Sequence, residues 1–247
     1  MKKILATILA TTMLIGGAIS AYAINTNVPR EHTQEEIEQI QSNNEKIEKE
    51  FNSLTQFGDN KLFNSNDIPP IMRAIDRRLL NVPVYKQRDN YSCSLACTQM
   101  VLDYVGNKYM SQDKIASKTG YTTVGLSTDA IAAFLNREIA PNTYEYANIN
   151  NVNMENSIII GIEHDKPTIC QTWTTELDDK YNFSSGHYVV AAGYEAGFSG
   201  SSSVAKVTYI DPFENGSGSL GYNTISMSKL KRAIRANPSS YIVRPVI

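Results

Sequence analysis

Cys93 stands where a polar loop, Gln87-Arg-Asp-Asn-Tyr-Ser92, gives way to a run with helical spacing: Ala96, Met100, Val101, Tyr104 and Val105. A thiol at that junction faces the unpaired N–H groups and the positive dipole end of the helix. Such surroundings favour the thiolate, which is the nucleophilic form. Cys97 lies one turn further in, on the face shared with core residues, and reads as structural. A cysteine nucleophile needs an imidazole, first as partner in an ion pair and then as proton donor to the leaving group. The chain has 3 His. His32 sits in a polar stretch and His164 in the charged loop Glu163-His-Asp-Lys166. His187 follows Ser185-Gly186 and opens the apolar run Tyr188-Val-Val-Ala-Ala-Gly-Tyr194, at the mouth of a buried strand. Asp211, in Tyr209-Ile-Asp-Pro212, ends the next strand and could orient the imidazole through its other nitrogen. Gln87, six residues before Cys93, could aim an amide N–H at the carbonyl under attack and form an oxyanion hole with the Cys93 N–H. Taken singly, each of these has a bland alternative. A His at a strand start, an Asp-Pro turn and a loop Gln are all commonly structural.

The elements that must position them fall into two halves. After the Cys93 helix, for which Gly106 is the expected left-handed terminator, Ser111 and Ser127 look like caps of two short helices. From Asn150 onward the texture turns β-branched and aromatic. Strands are expected at Ile158–Ile160, Pro167–Trp173, Tyr188–Gly193 and Val204–Ile210, the last two forming a hairpin through the Gly/Ser turn Gly197–Ser203. Met227–Ala236 returns to helix, and Tyr241–Arg244 is expected as an edge strand. Helices first and antiparallel strands second make an α+β domain over residues 81–247. No internal repeat occurs, and Gly216–Gly221 lacks the strand-to-helix frame of a phosphate loop.

Ahead of that domain lie two segments of different character. Met1-Lys-Lys, an apolar run from Ile4 to Ile19 and Ala21-Tyr-Ala23 have the form of a secretory signal, residues 1–23, cleaved after Ala23. The apolar run is shorter than the roughly 20 residues of a membrane span. The expectation is a secreted or periplasmic protein with no stable membrane anchor. Residues 24–80 form a charged arm and linker. Thr33 and Glu36 suggest a capping box, and Ile37, Ile40, Ile47, Phe51 and Leu54 lay a thin stripe along a helix. That helix is either a mobile arm or a pro-segment covering the site. A net charge of −2 offers no basic patch for nucleic acid. Three cysteines and three histidines make a structural zinc site improbable, and no metal is expected.

Together, Gln-x5-Cys opening the helix Met-Val-Leu-Asp-Tyr-Val-Gly106, then Gly-His-Tyr-Val-Val-x-x-Gly-Tyr194, then Ile-Asp-Pro212, resemble the bacteriocin-processing peptidases that cleave double-glycine leaders. The likeness is greatest to their secreted, stand-alone relatives, and it spans about Val82 to Ile247. The resemblance implies a papain-like α+β fold and thiol chemistry, with no cofactor, on peptide or amide bonds of a peptide or protein substrate. It also implies roles for Cys93, His187, Asp211 and Gln87. In that fold the helix and central strand pack together, so Cys97 and Cys170 are either bridged or two buried free thiols. The family usually carries Gly directly after the nucleophile, where this chain has Ser94-Leu95. A side chain there would crowd substrate or reshape the loop. Two alternatives therefore stay open: a cell-wall amidohydrolase of the NlpC type, and a peptidase-like module that binds without turnover.

Overall fold

The computed structural model describes residues 29–56, 77–197, 203–214 and 219–247. The signal-like residues 1–23, the linker after position 56 and the turn at 198–202 lie outside them. A single seven-stranded antiparallel sheet organises the molecule. Its strands are β1 (Arg77–Leu79), β2 (Tyr144–Asn148), β3 (Thr168–Trp173), β4 (Gly186–Gly197), β5 (Ser203–Asp211), β6 (Gly221–Ser226) and β7 (Tyr241–Pro245). They run in the order β2-β7-β3-β4-β5-β6. The long β4 pairs with β3 through its first half, Gly186–Ala191, and with β1 at Gly193–Glu195. At Gly193 the two backbones come so close that a Cβ would lie 2.9 Å from the Arg78 carbonyl oxygen.

Helices cover this sheet. They are α1 (Gln34–Gln56), α2 (Cys93–Gly106), α3 (Gln112–Thr119), α4 (Thr128–Glu138), α5 (Met154–Glu163), α6 (Thr174–Leu177) and α7 (Met227–Ala236). Local sequence explains most of their boundaries. Ser111 caps α3 by accepting from the Lys114 N–H, and Ser226 caps α7 by accepting from the Lys229 N–H. The expected hairpin pairs β4 with β5, setting Val190 opposite Ile210.

Four expectations are corrected. Ile158–Ile160 belongs to α5, not to a strand. Its four isoleucines are all buried, and Asn153 caps the helix by accepting from the Asn156 N–H, so tertiary burial overrides β-propensity. Gly106 is the last residue of α2, and the left-handed terminator is Asn107, with φ 46°. β7 is not an edge strand: β2, which carries no apolar alternation to announce it, pairs along its outer side. Finally, α1 is neither a loose arm nor a cover for the chemistry.

The capping box forms as expected, with Thr33 N–H donating to Glu36 and Glu36 N–H donating to Thr33 Oγ1. The helix then docks on α5 and the β2–β7 edge. Ile47 is buried, a contribution of about 1.5–3 kcal/mol. Beside it Asn43 Nδ2 donates to Glu145 and to the Pro245 carbonyl. Arg244, wholly buried, pairs with Glu145 at 2.7 Å and donates to Ser157 Oγ, Asn44 Oδ1 and the Ile40 carbonyl. A buried ion pair of this kind needs every remaining donor satisfied, and α1 supplies two of the acceptors.

Candidate active site

α2 packs against β4, and Cys93 is its first helical residue. The loop before it is folded on itself. Asp89 N–H donates to Ser92 Oγ, Ser92 Oγ donates to the Asp89 carbonyl, and Tyr91 N–H donates to Asp89 Oδ1. With its hydroxyl committed there, Ser92 does not cap α2. The first intrahelical bond runs from Ala96 N–H to the Ser92 carbonyl. The N–H groups at the start of the helix are thus kept for something other than helix closure.

His187, second residue of β4, and Asp211, last residue of β5, come to the same end of the sheet because the two strands are antiparallel neighbours. Their side chains meet with 2.9 Å between His187 Nε2 and Asp211 Oδ1. Nε2 being engaged, Nδ1 is the nitrogen left for the thiol. Cys93 is among the groups that favour a proton on this imidazole. All three groups are out of solvent: Cys93 is 4% exposed, His187 5% and Asp211 0%. Burial works against a proton on His187. Asp211, by charge and hydrogen bond, and then Cys93 outweigh it and raise the imidazole to about 10. The other histidines are elsewhere: His32 stacks on Tyr146, and His164 pairs with Glu50.

Sequence reasoning missed the groups that hold Asp211. Its Oδ1 also accepts from the Phe213 N–H at 2.8 Å, and its Oδ2 accepts from the Tyr181 hydroxyl. Tyr181, Phe183 and Phe213 form an aromatic wall around the pair, with ring centroids 5.4–6.0 Å apart. Burial, then the charge of Asp211, pushes the Tyr181 phenol far up, so it stays a donor. Tyr181 is one of 14 tyrosines, in a polar loop, and nothing local singles it out.

Gln87 reaches the same place. It lines a narrow cleft of about 20 Å³ with Asn90, Tyr91, Gly186, His187 and Phe213, room for about one water. Its N–H donates to the Pro212 carbonyl, which ties its loop to the turn after Asp211. Its amide nitrogen donates one hydrogen to the Asp89 carbonyl at 2.7 Å, leaving the second for the cleft. A larger cavity of about 190 Å³ lies between residues 30–40 and the α4–β2 region, and none of Gln87, Cys93, His187 or Asp211 lines it. Of these four, Gln87 and His187 line the smaller cleft.

The residue after Cys93 does not enter that cleft. Ser94 is fully buried, and its hydroxyl accepts from the Leu126 N–H at 3.0 Å. It anchors the loop before α4 instead of crowding the sulfur. Cys97 and Cys170 are free thiols, not a bridge. The Cys170 sulfur turns along its own strand toward the Thr168 carbonyl, at 4.0 Å. Burial pushes Cys170 up to about 12 and Cys97 well above the ordinary thiol range, so both are inert core groups. Among the described residues no cluster of three or more His, Cys, Asp or Glu is arranged to hold a metal. No described helix is long and apolar enough to cross a membrane.

The model of the Peptidase_C39 like family matches residues 79–235. The chain belongs to this family. Its fold is the papain-like α+β fold, with helices packed on an antiparallel sheet, and family and fold together are those of a cysteine peptidase. Among solved structures, one described as a C39-like peptidase from Bacillus anthracis is 16% identical, with a TM-score of 0.47 over 67% of this chain and 96% of that one. A double glycine motif protease from an AMS/PCAT transporter, solved with its leader peptide, is 18% identical, with a TM-score of 0.39 over 68% and 94%. The peptidase domain of Streptococcus ComA, a bi-functional ABC transporter, is 13% identical, with a TM-score of 0.39 over 66% and 96%. No curated protein compared with the chain matches it. The family match covers residues 79–235, so α1 and Arg244 lie outside it and Glu145 within it.

Proposed function

We propose that this C39-like chain is an exported cysteine peptidase that hydrolyses peptide or amide bonds through a thioester on Cys93. One observation carries the reading: a buried carboxylate holds the imidazole through Nε2, and Cys93, the thiol that opens an uncapped helix, is among the groups that favour a proton on that imidazole. The reaction starts with transfer of the Cys93 thiol proton to His187. The sulfur attacks the scissile carbonyl carbon, and its electron pair forms the C–S bond. The carbonyl π pair moves to oxygen, where the Cys93 N–H and the spare amide hydrogen of Gln87 stabilise it. Collapse expels the amine, which takes the proton from His187 Nδ1. A water then gives its proton back to Nδ1 and attacks the thioester carbon, releasing the acid and restoring the thiolate. Asp211 holds the ring throughout and neutralises the imidazolium without itself taking the proton.

Ser94, turned inward, supports turnover over an inactive binding role. A relative solved with a leader peptide suits a peptide in the cleft. Export rests on residues 1–23, and N-terminal sequencing of the secreted or periplasmic protein should find Ile24 first. The decisive experiment labels the mature chain with iodoacetamide near neutral pH and follows peptide hydrolysis. Cys93 should be the alkylated residue, and Cys93→Ala should abolish hydrolysis while shifting the melting temperature little. Turnover surviving in Cys93→Ala would sink the assignment, and release of muropeptides from purified peptidoglycan would redirect it to cell-wall amides.

A further inference from the structure

The Asp211 carboxylate is the most constrained group in the site, and what constrains its second oxygen is a residue from a separate loop. Oδ1 is shared by His187 Nε2 and the Phe213 N–H, and Oδ2 has the Tyr181 hydroxyl. We propose that Tyr181 is the positioning residue of this site, its hydroxyl fixing the plane of the Asp211 carboxylate so that Oδ1 stays on His187 Nε2. The proposal rests on the catalytic reading above and deepens it.

A carboxylate rotates readily about its last bond, since that torsion is broad and two-fold. The two oxygens turn together about that bond, so the Tyr181 hydroxyl on Oδ2 resists the same rotation that would carry Oδ1 away from His187 Nε2. The phenol itself cannot wander. Its ring stands 5.6 Å from the imidazole and 6.0 Å from the Phe213 ring, stacked on the latter at 18°. The loop that carries it is latched at both ends. Tyr181 N–H donates to the Asp178 carbonyl. Thr174 accepts from the Ser185 N–H, donates from its hydroxyl to the Phe183 carbonyl, and donates its own N–H to the Ser185 carbonyl. Trp173 Nε1 donates to Ser184 Oγ at 2.8 Å. A loop tied down this heavily behaves as part of the scaffold, which is what a positioning group requires. With Asp211 wholly buried, no water replaces a lost hydroxyl without opening the aromatic wall.

The test separates positioning from plain packing by a cycle of Tyr181→Phe and Asp211→Asn, alone and together. Phe keeps the ring in the wall and removes only the donor. Tyr181→Phe should lower kcat roughly 10- to 100-fold with KM within about two-fold, the loss expected when a reacting group drifts from its productive geometry. In the Asp211→Asn background the same change should do nothing further to kcat, because the residue acts through that carboxylate. An equal loss in both backgrounds, or no loss in either, overturns the proposal. A second readout needs no turnover. In the Cys93→Ala chain, proton NMR should show a low-field Nε2–H resonance from the His187–Asp211 bond, and Tyr181→Phe should shift or broaden it. An unmoved resonance would sink the positioning role even if the peptidase reading holds. Hydrolysis surviving in Cys93→Ala would sink the peptidase reading whatever Tyr181 does.

Discussion

Asp211→Asn is the sharpest perturbation of this site, because it removes one charge and almost no volume. In the folded protein His187 is raised from its ordinary 6.5 to about 10, against the effect of its own burial. At about 1.4 kcal/mol per pH unit, that preference for the imidazolium is on the order of 5 kcal/mol. The sign of the stability effect follows. Between pH 6.5 and 10 the folded chain holds a proton at His187 that the unfolded chain has released. The contribution is full below pH 6.5 and is lost as pH rises through 10. Stability should therefore fall across that window in the wild type. With Asn at 211 the largest raising influence is gone and burial works against the proton, so the His187 midpoint should drop below its wild-type position. The fall in stability as pH approaches 10 should then disappear. With only three histidines, ring ¹³C NMR resolves each one, and His32→Asn and His164→Asn complete the assignment. Urea melts at a series of pH values supply the stability side. A wild-type His187 midpoint at or below 6.5, or a midpoint that Asp211→Asn leaves unmoved, would refute the electrostatic account of the site.

Three further changes probe the supports. Gln87→Ala should cut kcat roughly 10²- to 10³-fold with little change in KM if its spare amide hydrogen meets the oxyanion; a loss below about three-fold would remove it from the mechanism. Ser94→Gly restores the residue usual in the family. It should leave hydrolysis within a few-fold and lower stability by about 1–3 kcal/mol in urea melts, since the Leu126 N–H loses its buried acceptor. A large gain in kcat would mean that the Ser94 side chain does obstruct substrate. Arg244→Met strands Glu145 without its charge partner and should cost about 3–5 kcal/mol. Limited proteolysis should then cut within α1 while Cys93 remains as reactive toward iodoacetamide as before. Loss of that reactivity in the folded variant would tie α1 to the catalytic end.

The candidate site residues could be picked out along the chain because they follow local rules. A thiol at a loop-to-helix junction, an imidazole opening an apolar strand and a carboxylate closing the next strand are each readable within a dozen residues. Antiparallel pairing of two consecutive strands then brings the last two together. Capping chemistry was equally plain at Thr33 and Ser111, where a side-chain oxygen meets an N–H three residues on; Ser127 precedes α4 as expected but makes no side-chain cap bond. Contacts between segments remote in sequence were hidden. The isoleucines of α5 look like strand until burial on every side makes a helix the cheaper way to satisfy their backbone. The pairing of Arg244 with Glu145, 99 residues apart, turns a polar arm into part of the domain. Tyr181 gains its place only when a loop folds over Asp211. Propensity and capping act over one or two turns, so they can be read along the chain. Which polar groups share a dry interior depends on which segments pack, and that is written in three dimensions.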